Sequence, residues 1–84
     1  PFVSAVNLRY NLPAATPVKL VVYDATGRVV RELVNTGADE QAAGGYTVRW
    51  NGEDASGRRL AAGVYLYRLE TAVGNIARKA VLSR

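Results

Sequence analysis

Apolar residues in this chain fall at every second position in short runs, and no stretch keeps a 3.6-residue period long enough to form a helix. Leu8, Tyr10 and Leu12 alternate with Arg9 and Asn11. Val18, Leu20 and Val22 share one side of a run whose other side is Lys19, Val21 and Tyr23. Tyr46, Val48 and Trp50 repeat the pattern, as do Tyr65, Tyr67 and Leu69. A period of two is that of a strand with one buried face. The runs are separated by turn chemistry at Asp24-Ala25-Thr26-Gly27, over residues 51–57 and at Ala72-Val73-Gly74-Asn75. Asp bonds its own downstream backbone there, and Gly supplies a positive φ. Pro13, which has no N–H for a ladder, ends the first run. Strands are thus expected over residues 8–12, 18–23, 28–34, 45–50, 64–71 and 76–82, with a short edge strand over 59–61. Residues 32–36 could make at most one helical turn. Six or seven short strands with a turn about every ten residues predict an all-β sandwich or barrel. Parallel α/β folds are excluded, because they need crossover helices.

The 84 residues make one domain, 1–84. Apolar residues are 49% and charged residues 21% of the chain, which is globular rather than disordered composition. No run approaches the roughly 20 apolar residues of a transmembrane helix. The start, Pro1-Phe2-Val3-Ser4, has neither Met nor a basic n-region before an apolar run, and reads as part of a longer protein. The net charge is +4 and lies in one half. Residues 1–42 hold four basic and four acidic residues; residues 43–84 hold seven and three. Such a half can attract acidic partners, although interspersed surface charge is also the ordinary solubilising pattern.

The chain contains no Cys and no His. Ser4, Ser56 and Ser83 therefore lack an imidazole to activate them, and Lys19 and Lys79 stand in no S-x-x-K pattern. Glu53 and Asp54 are sequence neighbours in a turn, so they do not face each other as an acid–base pair. No catalytic residue, cofactor-binding residue or metal ligand is expected, and no cofactor. The oxygen-rich loop 51–57 lacks calcium-loop spacing and reads as an Asx-type turn rather than a calcium site. Tyr46 and Trp50, like Tyr65 and Tyr67, alternate with Val or Leu and read as core; Tyr23 is the best candidate for an exposed aromatic. Basic residues are not interleaved with exposed aromatics, which argues against nucleic acid as a partner. The pentapeptides D-A-T-G-R, 24–28, and D-A-S-G-R, 54–58, echo each other as two similar turns.

The block from Trp50-Asn-Gly-Glu-Asp to Gly63-Val-Tyr-Leu-Tyr-Arg-Leu69 resembles W-[ND]-G-x-D-x-x-G-x-x-[LV]-x-x-G-x-Y-x-Y-x-L. Two related families carry that block: the type IX secretion system C-terminal sorting domain (type A), and the immunoglobulin-like domain of the flagellar hook-capping protein. Leu8-Arg-Tyr-Asn-Leu-Pro13 resembles the I-R-Y-x-L-P opening, and Val18–Arg28 resembles V-x-L-x-[IV]-Y-D-x-x-G-R. Arg78–Arg84 resembles the terminal [RK]-K-x-V-[LI]-x-[KR]. The initial Pro1-Phe2, the L-R-Y-x-L-P strand and the ending at a basic strand favour the sorting domain. The residues 35–45 depart from the pattern, being longer and more polar, and read as a tolerated surface insertion.

The resemblance implies an immunoglobulin-like antiparallel β-sandwich whose structural positions are Tyr10, Asp24, Gly27, Trp50, Gly52, Asp54, Gly57, Gly63, Tyr65 and Tyr67. It implies a non-enzymatic module that directs a fused upstream protein through the outer-membrane secretion machinery to the extracellular space or cell surface, by way of the periplasm. Attachment to anionic lipopolysaccharide could follow processing. Arg78, Lys79 and Arg84 are the expected contacts with that machinery. The alternatives are a structural protein–protein interaction module of the hook-capping type, and a carbohydrate-binding module of a glycanase. The last requires a row of surface aromatics.

Overall fold

The computed structural model describes residues 5–82. The alternating runs become six strands: β1 (Val6–Leu12), β2 (Val18–Tyr23), β3 (Val29–Asn35), β4 (Gly44–Trp50), β5 (Gly63–Thr71) and β6 (Gly74–Leu82). No helix occurs among the described residues. The strands form two antiparallel sheets, one of two strands in the order β1-β4 and one of four in the order β3-β2-β5-β6. Of the expected six to seven strands, six are present among the described residues. Residues 59–61 do not form an edge strand; they contribute one isolated bridge, Arg59 to Glu53. Glu32 to Asn35 continue β3 rather than turning.

Alternation decides which side chains meet between the sheets. Leu8, Tyr10 and Leu12 of β1 and Trp50 of β4 face Leu20 and Val22 of β2, Tyr65, Tyr67 and Leu69 of β5, and Ala80 and Leu82 of β6. Trp50 is wholly buried and meets the Tyr65 ring edge-on, with centroids 5.2 Å apart at 72°. Tyr10 stacks on its cross-strand partner Tyr46 at 5.2 Å and 15°. Buried aromatic polar atoms need partners, and each has one. Trp50 Nε1 donates to the Glu53 carbonyl (3.0 Å), Tyr65 Oη to the Ala61 carbonyl (2.7 Å), and Tyr10 Oη to Gln41 Oε1 (2.7 Å). Val21 departs from the simple two-face expectation: it lies on the outer face with Lys19, yet it is only 2% exposed. It sits beside Arg68 and Glu32 on neighbouring strands, whose aliphatic stems can cover a small side chain. Tyr23 is only half-buried rather than freely exposed.

The two echoed pentapeptides fold as the same turn. Asp24 Oδ1 accepts from the Thr26 N–H, the Thr26 hydroxyl and the Arg28 N–H. Asp54 Oδ1 accepts from the Ser56 N–H, the Ser56 hydroxyl and the Arg58 N–H. In both, the glycine donates to the aspartate carbonyl at 3.0 Å. Gly27 has φ of 89° and Gly57 of 86°, where a Cβ is disfavoured. A second echo joins the first: Ala42-Ala-Gly-Gly-Tyr46 leads into β4 as Ala61-Ala-Gly-Val-Tyr65 leads into β5. In each the tyrosine hydroxyl reaches back four residues to an alanine carbonyl, at 2.6 and 2.7 Å. Such a backward tyrosine bond pins a sandwich corner.

The 35–45 segment is more than a surface insertion. Gln41 pairs through its backbone with Thr16 and through its side chain with Tyr10. Thr36 Oγ1 accepts from the Val18 N–H, and Tyr46 holds Ala42. The polar residues that look dispensable in sequence close one end of the sandwich.

Candidate functional site

Eight of the ten expected structural residues fall into two groups. Tyr10, Trp50, Tyr65 and Tyr67 are buried core. Asp24, Gly27, Asp54 and Gly57 build the twin turns. Gly52 is buried with φ of 76°, and its carbonyl accepts from the Leu60 N–H. Gly63 opens β5 opposite Leu82. Both carboxylates of loop 51–57 have local partners. Asp54 Oδ2 meets Arg58 Nε at 3.3 Å and Glu53 Oε1 accepts from Asn51 Nδ2. The hydrogen bond from the Arg58 N–H and those from the Ser56 side chain and backbone hold the Asp54 carboxyl below its ordinary range. Asp24 is lowered likewise by Thr26 and the Arg28 N–H. Both carboxylates therefore act as acceptors within their own turns, and neither is poised as an acid.

Of the three expected contact cations, Arg78 and Lys79 lie on opposite faces of β6. Lys79 pairs with Leu66 on the outer face of the four-stranded sheet, whereas Arg78 pairs with Tyr67 and so faces the interior side. Arg84 lies outside the described residues, as do Phe2, Ser4 and Ser83. The interior side at Arg78 is nevertheless open. A two-stranded sheet cannot cover a four-stranded one, and β6 shows where cover stops. Ala80 and Leu82 are buried, while Ile76 and Arg78 on the same side are exposed. The gap is a cleft of about 630 Å³ lined by Arg9, Tyr10, Tyr46, Tyr67, Ile76 and Arg78 among others. Tyr67 crosses it to donate weakly to the Arg9 carbonyl (3.4 Å).

The cleft is a poor sugar platform. Tyr10 and Tyr46 stack on each other, their hydroxyls are engaged, and burial pushes the Tyr10 hydroxyl above its ordinary range. Trp50, Tyr65 and Tyr67 are buried, so they make no surface row, and the carbohydrate-binding alternative loses its recognition element. On the outer face, exposed Val64 and Leu66 of β5 pair with Val81 and Lys79 of β6. Sequence reasoning missed the cleft, the weakly alternating first half of β6 being its only signal.

Two antiparallel sheets packed face to face around a buried Trp, with tyrosine-pinned corners, define an immunoglobulin-like β-sandwich domain. The model of one family, the FlgD Ig-like domain, matches residues 3–75. The solved structure of FlgD from P. aeruginosa is 30% identical, superposes with a TM-score of 0.70, and aligns with 93% of this chain. The match spans 59% of that FlgD chain. No curated protein matches. The chain belongs to the FlgD Ig-like domain family.

Proposed function

We propose that the chain is a non-catalytic structural module that assembles with another protein, in the manner of the immunoglobulin-like part of a hook-capping protein. The carrying observation is the match of residues 3–75 to the FlgD Ig-like domain, supported by the likeness to FlgD over 93% of the chain. The geometry agrees with this. Asp24 and Asp54 are used in turns, the Tyr and Trp polar groups in corner bonds, and what remains at the surface is an open edge, a cleft and exposed Val and Leu. The test is a chimaera in which this chain replaces the matching region of the P. aeruginosa FlgD. Cells that build hooks and swim are the expected outcome. A stable, folded chimaera that leaves cells without hooks overturns the reading.

A second reading is export of a fused upstream protein by the type IX machinery, ending outside the cell or on its surface, with lipopolysaccharide as a later anchor. It rests on the end motifs and on exposed Arg78 and Lys79 of β6. The shared central block does not separate the two readings, because Trp50, Gly52, Asp54, Gly57, Tyr65 and Tyr67 are all engaged in folding. A periplasm-targeted fluorescent protein fused ahead of residues 1–84, in a host with that machinery, decides. Surface fluorescence supports export; retention in the periplasm removes it.

A further inference from the structure

We propose that β6 is a docking edge for an extended acidic segment of a partner protein, which adds to the four-stranded sheet as a fifth strand and places alternate side chains over the cleft. The proposal rests on the reading of the chain as a protein-interaction module and names the partner's chemistry.

The two edges of that sheet are built differently. Unpaired strand edges are templates for pairing, and folded proteins blunt them with bulges, cover or charge. The β3 edge is blunted twice over. Its ladder with β2 shifts register between Leu20 and Val21 and again between Val22 and Tyr23. The 51–58 loop also lies against it, with the Ala55 N–H donating to the Val30 carbonyl and Arg31 Nη1 to the Asp54 carbonyl. The β6 edge has neither device. It runs nine residues in unbroken register with β5, and no strand pairs its other side among the described residues. Alternate residues of such a strand point their N–H and C=O groups outward. Its Ile76 and Val81 side chains are 48% and 56% exposed.

What β6 has instead is charge, and the charge selects the occupant. Arg78 and Lys79 make no ion pair and no side-chain hydrogen bond among the described residues. Arg78 stands at the centre of the Gly74–Leu82 strand. A second copy pairing antiparallel along the whole edge would therefore set Arg78 against Arg78, an opposition that destabilises a ladder. Arg68 of β5, paired with Ala77, adds a second cation to the outer face beside Lys79. The acidic Glu70 sits away at the hairpin end, opposite Asn75. A strand carrying carboxylates near its middle meets a cation on whichever face they point to. Its apolar residues meet Ile76 and the tyrosines on one face, or Val81, Val64 and Leu66 on the other.

The probe is a capped peptide of alternating Val and Glu as long as β6, with Val-Gln and Val-Lys peptides as controls, added to the isotope-labelled chain. Strand addition slows hydrogen exchange of alternate β6 amides by roughly tenfold or more. Affinity falls with added salt, and falls at least about tenfold in Arg78→Glu/Lys79→Glu. The Val-Lys peptide does not bind. If the Glu variant is unfolded, Arg78→Gln/Lys79→Gln takes its place and must lower affinity in the same direction. The proposal is overturned if the Val-Glu peptide does not bind, if it binds with β6 amides unprotected, or if protection falls on β1, β3 or β4. It also falls if the outward β6 amides are already slow in the free chain, since the chain's own residues then fill the edge. A chimaera that builds hooks while β6 pairs with nothing removes the docking edge and leaves the structural role standing. Pairing at β6 without hook assembly does the reverse.

Discussion

At the scale of single residues, Thr16 carries more than its sequence neighbourhood suggests. Its Oγ1 accepts from the Ala72 N–H at 2.9 Å and donates to the Pro17 carbonyl, while its backbone pairs with Gln41. One buried threonine thus ties the β1–β2, β3–β4 and β5–β6 connections together, the first and last through its hydroxyl and the β3–β4 connection through its backbone. Thr16→Val keeps the shape and leaves the Ala72 N–H without its acceptor. It should cost about 1–3 kcal/mol in urea unfolding, with Thr16→Ser retaining most of the stability. Asp24 and Asp54 give a pH prediction. Both have folded pKa values below their unfolded ones, so their contribution is complete above the ordinary carboxylate range. It is lost as pH falls through the depressed folded values. The urea midpoint should therefore drop between about pH 5 and pH 2, and the drop should shrink in Asp24→Asn/Asp54→Asn. The two aspartates were legible in sequence because an Asx turn is closed within five residues. Thr16 was not, because its key partner lies 56 positions away, and nothing local distinguishes it from a loop threonine.

At the scale of elements, the twin turns offer an internal control. They share donors, acceptors and glycine φ, but only the second docks on a strand, through Ala55 to Val30 and Arg31 to Asp54. Exchanging their third residues, Thr26→Ser with Ser56→Thr, should change stability by no more than about 0.5 kcal/mol. Gly57→Ala should cost about 1–2 kcal/mol. That cost is conformational, since nothing lies within 4 Å of where its Cβ would stand. Asp54→Ala should lower the thermal midpoint more than Asp24→Ala, because it also loosens the cover of the β3 edge. Alternation foretold these strands to within a few residues, because burying one face is a local demand on sequence. It could not foretell that β6 is an edge. Edge position follows from strand order, and strand order is decided by pairing between distant segments. The Ala-Ala-Gly-x-Tyr echo was available in the sequence, but its meaning lies in a backward hydrogen bond that only the folded corner displays.

For the whole molecule, Trp50 is the point on which both sheets close. It joins β4 to β5 through Tyr65 and to the turn 51–57 through the Glu53 carbonyl. Trp50→Ala should cost about 3–5 kcal/mol, a large share of what a domain of this size holds at roughly 0.05–0.15 kcal/mol per residue. Strand protection measured by hydrogen exchange should then fall in both sheets together rather than in β4 alone. The unequal edges of the larger sheet have a consequence of their own. A sheet with two open sides propagates, because each newcomer exposes the edge that recruits the next. Here one side is sealed by bulges and a docked loop, so strand addition to the four-stranded sheet would stop after one newcomer. A strand added at β6 would make this domain a terminus of the joined sheet rather than a link in it.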